Sequence, residues 1–404
     1  MNTSPVVYLD HAATTPLLPE AIDAMTEELG RLGNPSSLHD AGRRARRVVE
    51  ESREQIAEVF GARASEVIFT SGGTEADNLA VKGLFWARRA ADERRCRVLT
   101  TAVEHHAVLD SVRWLATASG ARADWVGVDG SGLVRPSELR EALERDRDPG
   151  SAAVVSVMWA NNEVGAVQPI PALAEVAHEF GVPFHTDAVQ AAAQLPVDFA
   201  ASGVDAMTVT GHKLGGPVGA GALILGRGMV PVPVLHGGGQ ERDIRSGTLD
   251  APAIRAFAVA AVVSAQRRVA EAKRLAALRD DLIRQVLDAV PDAILNGPPP
   301  GPERLPANAH FSFPGCEGDS LLLLLDARGI EVSTGSACSA GVAQPSHVLL
   351  SMGADEQTAR SSLRFSLGHT STRDDVEALA AAIGPVVERA RGAWLELHRP
   401  ARRR

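Results

Sequence analysis

Val182-Pro183-Phe184-His185-Thr186-Asp187-Ala188-Val189-Gln190 and, a little further on, Ala206-Met207-Thr208-Val209-Thr210-Gly211-His212-Lys213-Leu214-Gly215-Gly216-Pro217 follow one grammar. In each, a short run of apolar and β-branched residues ends abruptly in a polar or glycine-rich turn. Such runs, alternating with helical stretches, read as strands of a parallel sheet joined by crossover helices. The same pattern recurs at residues 66–70, 97–101, 153–158 and 220–225, which with 182–187 and 206–210 gives six expected strands of an α/β domain. In such folds ligands sit outside the carboxyl ends of the strands, so the turns after them are where chemistry is expected.

Outward from that region the pattern changes. Residues 43–60 carry Val48, Val49, Ile56, Val59 and Phe60 on one face of a stretch rich in Arg and Glu, as in an amphipathic helix. After Asp250 an Ala/Arg/Glu helix is expected to about Val290, followed by a Pro/Gly break at 296–302. Residues 308–313 and 362–366 read as strands and 372–397 as a terminal helix, so a smaller α+β domain follows the sheet. The closing Ala-Arg-Arg-Arg reads as a solvated end.

Composition excludes several classes. The 404 residues are 45% hydrophobic and 23% charged, ordinary for globular chains. The net charge of -9 argues against an overall electrostatic grip on nucleic acid or an anionic membrane. The three cysteines, Cys96, Cys316 and Cys338, cannot all pair and show no zinc-site spacing, which fits a reducing compartment. The opening residues lack a basic segment followed by an apolar one, and no apolar run approaches a bilayer span, so a cytoplasmic protein is expected.

Lysine occurs only at Lys82, Lys213 and Lys273, so 38 of the 41 basic residues are arginine. A guanidinium stays protonated and cannot form a Schiff base, which leaves few candidates for an amine nucleophile. Lys82 and Lys273 fall on helices whose faces suit solvent, whereas Lys213 sits at a strand end beside His212 and a Gly-Gly-Pro turn. Asp187, also at a strand end, needs a cationic or N–H partner if buried. A protonated cofactor ring nitrogen, as in pyridoxal phosphate enzymes, would serve, and so would a helix N-terminus that the carboxylate caps. Phe69-Thr70-Ser71-Gly72-Gly73-Thr74-Glu75 is either an anion cradle of backbone amides or a tight strand-to-helix turn with a Thr cap. Cys338, within Ser333-Thr334-Gly335-Ser336-Ala337-Cys338-Ser339-Ala340-Gly341, is flanked by small residues as in an exposed, mobile loop. The His105-His106 pair lacks a third ligand of suitable spacing, so no metal is expected.

Together with Tyr8-Leu9-Asp10-His11-Ala12-Ala13-Thr14-Thr15-Pro16, Gly33-Asn34-Pro35-Ser36-Ser37-Leu38-His39, Glu104-His105-His106-Ala107, Asn161-Asn162-Glu163-Val164-Gly165, Arg245-Ser246-Gly247-Thr248-Leu249 and Arg364-Phe365-Ser366-Leu367-Gly368, these residues resemble the cysteine desulfurases of the NifS/IscS type. That group lies within the class V aminotransferase family of fold-type I pyridoxal-phosphate enzymes. The resemblance covers about nine-tenths of the chain. It implies a large domain over residues 15–255 with a mainly parallel seven-stranded sheet, and a smaller α+β C-terminal domain of residues 1–14 and 256–404 carrying Cys338 and Arg364. It also implies that Gly73, Thr74, Thr210 and His212 bind the phosphate of pyridoxal 5'-phosphate, joined by Thr248 from the partner subunit of a homodimer. His105 would stack on the ring, Asp187 would pair with its nitrogen and Gln190 with its phenolic oxygen. Lys213 would be the covalently bonding amine, Asn162 would contact cofactor and substrate, and Arg364 would grip the substrate carboxylate by two prongs.

The implied activity removes sulfur from L-cysteine, giving L-alanine and a persulfide on Cys338, with Lys213 and His105 as acid/base groups. The sulfur would pass to an acceptor or iron-sulfur scaffold protein for cluster, thio-cofactor or tRNA biosynthesis. A selenocysteine lyase, or another pyridoxal-phosphate lyase or aminotransferase, would keep the same fold, and a non-catalytic scaffold is a further alternative. Two departures from the family pattern stand out: Thr210 where serine is common, and the tail Ala393-Trp394-Leu395-Glu396-Leu397-His398-Arg399-Pro400, unlike that of the IscS branch.

Overall fold

Along the apolar runs, successive side chains enter different cores. Val67 and Phe69 pack into one cluster and Ile68 into another; Leu99 and Val155 join the first, Val98 and Val154 the second. This alternation is what a sheet covered on both faces requires, and it explains why the strands read as continuous apolar runs. The computed structural model describes residues 6–146, 149–335 and 344–397. Its strands are β1 (Val7–Tyr8), β2 (Val67–Thr70), β3 (Arg97–Thr101), β4 (Arg122–Val126), β5 (Ala152–Ser156), β6 (Phe184–Asp187), β7 (Ala206–Thr210), β8 (Gly221–Leu225), β9 (Ile294–Leu295), β10 (Asn308–Ser312), β11 (Ile330–Glu331) and β12 (Ser362–Ser366).

The principal sheet has seven strands in the order β2-β8-β7-β6-β5-β3-β4. All neighbours from β7 to β4 run parallel, while β8 lies antiparallel to both β2 and β7. The six expected strands are present within a few residues of their expected bounds. The seventh, β4, escaped the sequence pattern because it is an edge strand: Arg122-Ala123-Asp124-Trp125-Val126 buries only its last residue, and Asp124 instead pairs with the buried Arg97.

The helices on this sheet include α1 (Pro19–Leu29), α2 (Asp40–Val59), α3 (Gly73–Ala91) and α4 (His106–Ala118). Lys82 on α3, expected to face solvent, is half-buried with its Nζ 4.6 Å from the centre of the Trp114 ring. A helix of 39 residues, Ala251–Ala289, follows, with Pro252 in its first turn and Asp250 capping its start by accepting from Ala253 N–H. Beyond it β9, β10 and β12 form an antiparallel sheet in the order β12-β10-β9, with its own apolar core. At the chain start β1 pairs parallel with β11, and Leu9 lies in that core. Cys316 is buried there with Sγ 3.8 Å from Val387 O, and burial pushes its thiol up.

Candidate active site

Five loops leave the carboxyl ends of parallel-sheet strands and of β2 on the same side, and they close around a cavity of about 400 Å³. After β2 the chain turns through Gly72 (φ 146°, ψ -177°) into α3, whose first residue is Gly73. Gly72 is the N-cap and no side chain caps this helix, so the expected Thr cap is not formed and the N–H groups of the first turn remain available to an anion. Thr74 lies in that first turn. The turn is held from behind: Ser71 N–H donates to Glu75 Oε2 (2.7 Å), and Glu75 pairs with Arg245 (2.7 Å).

After β3 comes His105, the N-cap of α4, whose Nδ1 accepts from Ala107 N–H at 3.2 Å. Burial first, then the charge of Lys213, lowers its pKa to about 4, so the ring is neutral and its proton resides on Nε2. His212, after β7, is likewise lowered to about 4 by burial and by Lys213. Lys213 follows in a short 3-10 turn, its ammonium donating to the carbonyls of Ala12 and Ala13. Gln190 Nε2 donates to Ala12 O at 2.9 Å, so the Asp10-to-Thr15 segment forms a shelf beneath both side chains.

Asp187 closes β6 and is 6% exposed. One carboxylate oxygen accepts from Val189 N–H at 2.9 Å, a local turn contact rather than a helix cap. Burial raises its pKa while the Lys213 charge draws it back. A buried carboxylate facing a cavity calls for a cation there. Arg364 enters from β12, 3% exposed, donating to Asn162 O at 3.0 Å and pairing with Asp10 at 2.7 Å, while its Nε has no partner among the described residues.

Gly73, Thr74, His105, Asn162, Asp187, Gln190, Thr210, His212, Lys213 and Arg364, the residues expected from the sequence, therefore all line one cavity. Thr248 does not line it. Cys338 lies outside the described residues, although Gly335, just before it, is in the cavity wall. Four participants were not singled out from the sequence. Asp77 lines the cavity, Asp10 holds Arg364, and Glu104 and Glu163 are buried beneath the loops. Asp77 had a legible signal: it follows Gly73 by one helical turn, on the face that α3 turns to the sheet.

The donor set fits a phosphorylated, ring-protonated aldehyde: uncapped amides with two hydroxyls for the phosphate, an amine for the aldehyde, and a buried carboxylate for the ring cation. The sequence model of the family described as aminotransferase class V matches residues 7–379.

The chain belongs to the class V aminotransferase family.

Within that family it is 57% identical over 390 residues to an IscS-like cysteine desulfurase of Mycobacterium tuberculosis, covering 96% of this chain and 98% of the relative. It is 42% identical to the cysteine desulfurase IscS of Dictyoglomus turgidum, with 95% of each chain covered. Among solved structures, a NifS-like protein superimposes with a TM-score of 0.86 at 32% identity, covering 95% of this chain and 99% of the other. A protein described as SspA in complex with cysteine gives 0.76 at 31% identity over 89% of this chain and 98% of the other.

Proposed function

We propose that this chain is a pyridoxal-phosphate-dependent cysteine desulfurase that converts L-cysteine to L-alanine and leaves the sulfur as a persulfide on Cys338. The observation that carries the reading is the meeting of Lys213, Asp187, His105, the uncapped start of α3 and Arg364 in a single cavity. When bound, pyridoxal phosphate supplies an electron sink that loosens bonds around the amino acid's α-carbon. Gly73, Thr74, Thr210 and His212 hold its phosphate, and Asp187 holds its ring nitrogen protonated.

Lys213 Nζ is the amine that bonds to the cofactor and afterwards moves protons at the substrate. His105, neutral with its hydrogen on Nε2, presents a flat ring and a donor. Arg364 is buried and already paired with Asp10, so a substrate carboxylate meets a guanidinium fixed in place, one whose Nε has no partner among the described residues. The Cys338 thiolate attacks the substrate sulfur; the carbon–sulfur electron pair stays with the carbon, which takes up a proton to become alanine. The persulfide then passes to an acceptor or iron-sulfur scaffold protein.

Further parts of the proposal concern assembly. Thr248 reaches the phosphate of the partner subunit in a homodimer, which is consistent with its place outside its own chain's cavity. The two units divide as residues 15–255 against 1–14 with 256–404, a division supported by the β1–β11 pairing. Among the described residues no helix is long and apolar enough to cross a membrane, and we assign the protein to the reducing cytoplasm.

The test is a visible spectrum of the purified protein before and after L-cysteine, with alanine quantified. A band at about 420 nm, the signature of a pyridoxal–lysine linkage, that changes as alanine accumulates is the expected result. A protein that takes up no pyridoxal phosphate overturns the reading. Cys338→Ala is expected to keep the colour and lose turnover, and Lys213→Ala to lose both.

A further inference from the structure

Behind Asp187 lies a second buried carboxyl that the proposed reaction does not use. Asp77 on α3 is 1% exposed and lines the same cavity, and its Oδ1 has no hydrogen-bond partner among the described residues. The sheet register explains the company it keeps. His185 and Asp187 are two apart on β6 and share a face; Ser156 is the register partner of His185, and Thr208 that of Asp187. His185, fully buried, binds Ser156 Oγ through Nδ1 (2.9 Å) and Thr208 Oγ1 through Nε2 (3.1 Å), with Asp77 Oδ1 3.6 Å from that Nε2.

Two carboxyl groups in one dry pocket cannot both ionise cheaply. We propose that Asp77 is a positioning residue: it keeps its proton, so that the Asp77–Asp187 pair carries one negative charge, and that charge sits on Asp187 facing the cavity. The inference rests on the reading of Asp187 as the partner of the cofactor's ring nitrogen.

The surrounding charges agree with this assignment. Asp187 is attracted by Lys213, whereas the charge acting on Asp77 at neutral pH is the Asp187 carboxylate, which opposes its ionisation; Glu104 adds to that opposition only once it ionises, above about 8. Burial raises Asp77 well above the ordinary carboxylate range, and only the Thr208 hydroxyl acts the other way. Burial lowers His185 to about 3, so it is neutral and cannot offer Asp77 a compensating cation. A single fixed anion at this end gives the ring cation one counter-charge. A second would attract another proton or cation and blur the site's protonation state.

The test is infrared difference spectroscopy on the holoenzyme, reconstituted with pyridoxal phosphate, at neutral pH. Wild type minus Asp77→Asn is expected to show the C=O stretch of a protonated carboxylic acid, because asparagine removes that group while keeping its shape. A coloured holoenzyme whose difference spectrum shows only carboxylate bands overturns the inference and leaves the functional reading intact. A protein that takes up no pyridoxal phosphate overturns both. If Asp77→Asn does not fold, Glu104→Gln removes another buried carboxyl with a raised pKa, and the spectrum is read above about pH 7, where Asp187, raised only to about 6, is ionised. A protonated-acid band that survives in that variant supports the assignment, and its absence overturns it.

Discussion

Glu104 is fully buried beneath His105, accepting from Thr101 Oγ1 (2.7 Å) and from Met158 N–H (3.0 Å). Burial is the main cause that raises its pKa from 4.5 to about 8. The folded state thus holds this proton after the unfolded chain has lost it, so between those two values stability falls as pH rises. Glu104→Gln should remove that component, flattening the stability curve above 6.5, where the buried histidines no longer contribute, by on the order of 1 kcal/mol per pH unit; denaturant unfolding from neutral to mildly basic pH checks it. Gly72 makes a different demand. A Cβ there would meet nothing closer than Thr210 Oγ1 at 3.9 Å, so space is not the constraint, but its φ of 146° is one that side chains rarely adopt. Gly72→Ala should cost about 1–3 kcal/mol and loosen the start of α3, read as lower stability together with faster loss of pyridoxal phosphate on dilution.

At the scale of elements, one buried ion pair ties two of them to the loop that carries Glu241. Arg53 of α2 meets Glu241 with both terminal guanidinium nitrogens at 2.7 Å, and Glu241 also accepts from Phe69 N–H of β2 at 2.8 Å. The side chains are 5% and 1% exposed. Removing Glu241 leaves the buried Arg53 with only the exposed Glu50 carboxylate and Val67 O as hydrogen-bond partners among the described residues, so Glu241→Ala should cost about 1–3 kcal/mol in urea unfolding. The damage should extend to the candidate site, since residues 241–248 also supply Arg245, which holds Glu75 behind the α3 turn. The sequence motif Arg245-Ser246-Gly247-Thr248-Leu249 was legible as a unit; its coupling through Glu75 to the phosphate turn was not, because pairing over 170 residues leaves no local trace.

For the molecule as a whole, acid should be destabilising before the carboxylates are reached. His185 and His310 are fully buried, and burial lowers both from 6.5 to about 3. Below 6.5 the unfolded chain binds protons that the folded chain refuses, so stability is lost as pH falls from there toward about 3. Each histidine should contribute on the order of 1 kcal/mol per pH unit within that window. His310→Gln should therefore reduce the slope of unfolding free energy against pH by about one proton, measured between neutral and mildly acidic conditions. Glu104 works in the opposite direction over part of this range, so its Gln variant should steepen the acid loss.

The order of short apolar runs and glycine-rich turns was enough to place six strands of the main sheet, because a strand covered on both faces must be apolar throughout. The rarity of lysine singled out Lys213 on chemical grounds, and ordered motifs named the cavity residues around it. Local sequence could not show the edge strand β4, whose polar residues are stabilised by Arg97 from the neighbouring strand. Nor could it show that Asp10, from the start of the chain, fixes Arg364 near its end, or that the α3 start lacks a side-chain cap. Residue type and spacing determined which groups this protein has for chemistry. Tertiary structure alone decided which are dry, neutral or charged, since burial and through-space charge depend on neighbours that only folding brings together.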